Sequence, residues 1–149
     1  MRRSFPAETT PTKERIIEAA IEVLAQRGYS SAGVQEIIDK AGTSKGSFYF
    51  HFPSKEKMVS QLVNQMGERL IQKVDDSIQS QPTPLHRVSL GIDTLISTFS
   101  KQQKIARILL LNIMGHGITT DQLFLPTWNR FSQLIETELK DAVSQGQID

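Results

Sequence analysis

The chain has 149 residues, 38% of them hydrophobic and 22% charged, a composition that fits a folded globular protein and excludes wholesale disorder. It contains no cysteine, which excludes disulfides, a thiol nucleophile, zinc fingers and iron–sulfur ligation, and makes a reducing cytoplasm the expected setting. The net charge of +1 divides weakly, with nine Lys/Arg against seven Asp/Glu in residues 1–57 and eight against nine in residues 58–149, so charge alone does not announce a nucleic-acid partner.

In chain order, residues 1–11 are polar and carry Pro6 and Pro11, which reads as a flexible arm. Met1-Arg2-Arg3 is not followed by the apolar stretch of a signal peptide. Thr12 is a plausible N-cap with Glu14 in the first turn, and Ile17, Ala20, Ile21 and Leu24 then recur at one-face helical spacing until Gly28. Val34, Ile37, Ile38 and Ala41 repeat the pattern in a short helix that Gly42 stops, with Glu36 three residues after Gly33 as half of a capping box. Residues 44–50 form a third helix after a tight turn, the signature of a helix-turn-helix.

Pro53 marks the next boundary, and Ser54 caps a long helix with Val59, Leu62, Val63, Met66, Leu70, Val74 and Ile78 on one side. Ser80-Gln81-Pro82-Thr83-Pro84 is the clearest break in the chain. Helices follow over residues 85–99, 104–114 and 120–144, with Gly115-His116-Gly117 as a loop and Pro126 kinking or restarting the last. No alternating strand pattern occurs, and no apolar run reaches the roughly 18 residues of a membrane span. The expected fold is all-α, with an N-terminal three-helix head joined by a long helix to an α-helical body.

The informative segment runs from Gly33 to Phe52. Phe48 and Phe52 are four apart and would pack inward on the first two helices. Lys45 with Tyr49, and Ser47 with His51, are also four apart on another surface, which is short, polar and basic. That surface suits a helix inserted into a DNA major groove, where side chains must reach base edges and phosphates. Gly46 removes a side chain and permits close backbone approach.

The run Ala41-Gly42-Thr43-Ser44-Lys45-Gly46-Ser47-Phe48-Tyr49-Phe50-His51-Phe52, followed by Ser54-Lys55-Glu56 and preceded by Gly28-Tyr29, resembles the signature of the tetracycline-repressor (TetR) family. The resemblance covers about residues 12–75. It implies that Thr43, Ser44 and Lys45 open the recognition helix, that Ser47 and Tyr49 face the groove, that Gly46 and Phe50 lie at the DNA, and that His51 reaches a phosphate. Lys55 would meet another phosphate with its backbone N–H and its side chain. Two departures stand out. Ala32-Gly33 replaces the hydroxyl residues common at the start of helix two, and such proteins usually continue past residue 149 with two helices that form a dimer interface. The apolar positions Leu134, Ile135, Leu139, Ala142 and Val143 are therefore expected to be exposed and to pair weakly.

The expected organisation is a flexible arm (1–11), a helix-turn-helix domain (12–57, motif 33–52) and a shortened ligand-binding and dimerisation body (58–149). In the body, Phe99, Asn112, Met114, His116, Phe124, Trp128 and Phe131 are candidate lining for a small apolar or amphipathic ligand. The three histidines form no His-Glu-x-x-His pattern, and neither a phosphate loop nor a Gly-x-Ser-x-Gly elbow occurs, so no catalytic residue, metal or cofactor is expected. The expected function is a cytoplasmic, nucleoid-associated repressor that binds a palindromic double-stranded DNA operator as a homodimer, without a membrane partner, and is released by a small molecule. The alternatives are a helix-turn-helix protein that needs no ligand, or an α-helical interaction module or enzyme.

Overall fold

The computed structural model describes residues 10–114 and 120–149, except for the side chains of residues 111–114, 120–125, 127 and 128. Of the arm expected over residues 1–11, residues 1–9 lie outside the described residues, as does the loop at 115–117, while Pro11 already belongs to the first helix. Those described form seven helices: α1 (Pro11–Ser31), α2 (Val34–Ala41), α3 (Lys45–His51), α4 (Lys55–Ile78), α5 (Pro84–Lys101), α6 (Gln103–Met114) and α7 (Thr120–Ser144).

α1 begins earlier than its apolar pattern suggests. Thr10, not Thr12, is the N-cap: its hydroxyl accepts the Lys13 N–H at 3.3 Å, and Pro11 occupies the first helical position. At Gly28 the backbone turns to φ 73°, and the Ala32 N–H closes the helix on the Gly28 and Tyr29 carbonyls. The capping box expected at α2 does not form. Gly33 caps without a side chain, and Glu36 instead accepts the Arg27 Nε–H at 2.9 Å.

Between α2 and α3 the chain reverses at Gly42, whose φ of 59° is left-handed and favours glycine. Its N–H donates to the Asp39 and Ile38 carbonyls, and the Thr43 N–H donates to Ile38 O at 3.2 Å. Ser44 then caps α3 by accepting the Ser47 N–H at 3.1 Å. This turn fixes the angle at which α3 leaves the head.

A single core runs through the head and into the body. Ile16, Ala20 and Leu24 of α1, Ile37 of α2, Phe48 of α3, Phe52 and Val59 all join it, and so do Ile108 and Leu109 of α6. α6 therefore packs against α1, and the expected apolar side of α4 is buried except for Leu70, which is half-buried. The 80–84 break is a reversal between two helices that lie on each other. Gly91 of α5 permits that approach, since a Cβ there would sit 3.3 Å from Val74 Cγ1. Arg87 ties α5 to α7 through Glu138 at 2.6 Å. α7 is continuous through Pro126 rather than restarting there. Among the described residues, no helix is long and apolar enough to cross a membrane.

Candidate nucleic-acid interface

α3 has only seven residues, too few to hold its own shape by backbone bonding, so packing must set it. Phe48 and Phe52, 0% and 1% exposed, anchor it with their rings 5.9 Å apart. With the inner face pinned, the remaining side chains point outward. Ser44, Lys45, Gly46, Tyr49 and Phe50 are exposed, while Thr43, Ser47 and His51 are half-buried.

Phe50 is the outlier, 84% exposed immediately after Tyr49 at 43%. Among the described residues its ring meets His51 edge-on, with centroids 5.1 Å apart. Among the described residues nothing requires glycine at position 46, where an added Cβ would meet only Ser44 Oγ at 3.9 Å. Thus the structure brings eight of the nine candidate DNA residues, Thr43 to His51, onto one short helix and its entry turn.

Lys55, the ninth, lies at the start of α4 rather than on α3, and its ammonium is engaged inside the chain. The ammonium donates to Tyr29 O and to Ala32 O, both at 3.0 Å, and lies 4.4 Å from the centre of the Tyr29 ring. The cause is the end of α1: its last carbonyls carry the negative end of the helix dipole, and a cation satisfies them. Glu56, next along, accepts the Tyr29 hydroxyl at 3.1 Å. Its own backbone N–H, then the Ser54 hydroxyl, then Tyr29 hold its carboxyl below the usual carboxylate range. Tyr29, Lys55 and Glu56 so clamp the start of α4 to the end of α1. Sequence reading missed this cluster, although both Gly28-Tyr29 and Ser54-Lys55-Glu56 had been singled out.

Two expected results follow. Lys55→Met removes the ammonium donor from the Ala32 carbonyl and leaves the Tyr29 carbonyl only the Ala32 N–H, which lowers stability by about 1–3 kcal/mol, but the salt slope of DNA binding stays unchanged. A drop of about one in that slope would restore Lys55 as a phosphate contact. Burial, then the Glu56 hydrogen bond and charge, push the Tyr29 hydroxyl up to about 12 from 10.0. A raised value means that the folded state favours the neutral phenol. Its contribution is therefore complete below pH 10 and fades as pH rises towards 12. Tyrosinate absorbance should show a late component near pH 12 that disappears in Tyr29→Phe.

The ligand candidates divide. Phe99 lines a cavity of about 260 Å³ where α1, α4, α5 and α6 meet. Phe131 instead borders a groove on α7 with Ile135, Leu139 and Val143, so these two residues do not share one site. His116 and the side chains of Asn112, Met114, Phe124 and Trp128 lie outside the described residues. Among the described residues, no group of three or more His, Asp or Glu could hold a metal ion.

The sequence profile of bacterial regulatory proteins of the tetR family matches residues 16–62, from α1 into the second turn of α4. The HTH-type transcriptional regulator UidR of Escherichia coli K12 is 26% identical over 151 residues, which span 99% of this chain and 74% of that protein. The fatty acid metabolism regulator protein of Bacillus subtilis is 23% identical over 93% of this chain and 71% of its own length. The crystal structure of FadR from Bacillus subtilis in complex with stearoyl-CoA shares the fold, with a TM-score of 0.81 over 91% of this chain and 73% of that one at 23% identity. Residues 16–62 thus carry the sequence profile of the tetR family of bacterial regulatory proteins, and over nearly its whole length the chain is similar to helix-turn-helix transcriptional regulators.

Proposed function

We propose that this regulator is a ligand-responsive repressor, working in the cytoplasm on a palindromic operator. The observation that carries the DNA side is the outward face of α3, where Phe50 and Tyr49 stand exposed beside Lys45 while Phe48 behind them is fully buried. An apolar ring so exposed loses water on binding, and thymine methyl groups in a major groove offer a partner for it. In this reading Thr43, Ser44, Lys45, Gly46, Ser47, Tyr49, Phe50 and His51 meet bases and phosphates, and Lys55 acts by holding the head in shape. The head spans residues 12–57 and the body 58–149.

The regulatory side is geometric. Two heads must stand about 34–36 Å apart to enter successive major grooves. A ligand that binds better to a different spacing draws the population away from DNA, and only in proportion to that difference. The ligand is a small apolar or amphipathic molecule. The fatty-acid regulator among the relatives, and the acyl-CoA in the FadR complex, support an acyl-type class.

The repressing species is a homodimer. Ile135, Leu139 and Val143 form an exposed apolar stripe on α7, whereas Leu134 is half-buried and Ala142 fully buried. A stable pair needs about 1,200–2,000 Å² of buried surface, more than one such stripe provides. Sedimentation of this chain should therefore show a weak dimer that dissociates below micromolar protein. A tight dimer at nanomolar protein would overturn that expectation. The functional reading is tested by selecting operator DNA with the purified protein and adding candidate ligands. Sequence-specific binding that a ligand relieves supports it. Binding that no ligand class alters would leave a regulator without a ligand.

A further inference from the structure

Lys13 breaks the pattern of the helix that carries it. The buried side of α1 recurs as Ile16, Ile17, Ala20 and Leu24, and Lys13 stands three and four residues before the first two, in the same register. A lysine in such a register keeps its stem on apolar surface and carries its charge to the edge. Lys13 is half-buried, and its ammonium lies 5.8 Å from the centre of the Phe52 ring, at the end of α3. Among the described residues no carboxylate pairs with Lys13, whereas Arg27 is held by Glu36 and Lys104 by Glu22. From Lys40 to Lys55 the sequence contains no Asp or Glu. A cation drawn partly out of water without a carboxylate partner favours an anion from outside.

We infer that Lys13 is a DNA-phosphate contact, gripping the backbone at the opposite end of α3 from Lys45. The inference rests on the reading of α3 as the DNA-binding helix and adds to it a residue from a different helix. With seven residues at about 1.5 Å each, α3 is about 10 Å long. A major groove is about 12 Å wide. Lys45 opens α3 and His51 closes it, with the His51 and Phe52 rings 6.5 Å apart. Lys13 and His51 thus flank the same ring, and the cations at the two ends of α3 stand about a groove's width apart. Each end can then meet the phosphates of one strand. A grip supplied by α1 also fixes how α3 is seated, because Phe48 and Phe52 share one core with α1. Such a contact carries no sequence information, so it raises affinity for every duplex alike.

The test is a salt titration of duplex binding by the whole chain, with a selected operator and with an unrelated duplex. Lys13→Met keeps an apolar stem and removes the charge, and its melting temperature should stay within about 2 °C of the parent. Its salt slope should be smaller by about 0.9 on both duplexes, so the parent's advantage shrinks about threefold between about 50 and 200 mM salt. Lys13→Arg should keep the parental slope. So should Lys101→Met, which removes an exposed cation from the end of α5. An unchanged slope in Lys13→Met, an equal drop in Lys101→Met, or a loss confined to the operator would overturn the contact. A lowered melting temperature with the slope unchanged would make Lys13 a cap on the end of α3 and overturn it too. A parent that binds no duplex even at low salt would sink the DNA-binding reading as well. A parent that binds, with only the Lys13→Met slope failing to change, would sink this contact and leave that reading standing.

Discussion

Replacing Phe48 or Phe52 by Ala should destabilise the protein by about 3–5 kcal/mol, the usual cost of emptying a buried aromatic position. Both rings are essentially without solvent contact, and they pack on each other and on the shared core of α1, α2 and α4. Nothing nearby can close such a gap, because α3 has only seven residues and no other anchor of that size. The melting temperature should fall by about 10 °C or more. Phe50, two residues from Phe48, supplies the internal control: at 84% exposure, Phe50→Ala should change stability by less than about 0.5 kcal/mol. If Phe48→Ala melts like the parent yet loses DNA, the ring belongs to the interface and the orientation of α3 is wrong.

The second large effect falls on DNA. Lys45→Ala and Tyr49→Ala should each cost about 1–3 kcal/mol of operator affinity while the fold stays intact. Both side chains are exposed and stand one turn apart on the outer face of α3, so their loss empties no core position. The two changes are separable by their selectivity. A residue that reads a base edge relaxes preference at one operator position, whereas a phosphate contact weakens all sequences alike and lowers the salt slope. Unchanged affinity in both variants would remove these residues from the DNA contact.

Much of the head is legible from spacing because its elements are short and closely punctuated. Gly28, Gly42 and Pro53 end segments for reasons local to the chain, and the i, i+4 pair of Phe48 and Phe52 separates inside from outside without any tertiary knowledge. The apolar run points to Thr12 as the cap because Thr12 is the hydroxyl residue nearest to it, while Pro11 at the first helical position extends the helix back to Thr10. Lys55 could not be placed by spacing, since its partners lie 23 and 26 residues away and exist only once Gly28 has turned the end of α1. The role of α6 is similarly non-local. Its apolar pattern says that one face is buried, but not that Ile108 and Leu109 are buried against the head. For the same reason, aromatic composition pointed to a pocket along the later helices. Among the described residues a cavity forms where four helices meet, and Phe99 of that candidate set lines it.

The central claim is that the outer face of α3 reads a DNA sequence. The most direct measurement is selection of genomic or random double-stranded DNA with the purified chain, followed by affinity titration of the enriched site at several salt concentrations. The account predicts one enriched motif with two inverted half-sites spaced by whole helical turns, bound by the parent and lost together with Lys45→Ala and Tyr49→Ala. No enriched motif even at low salt, or a motif bound equally well by both variants, would contradict it.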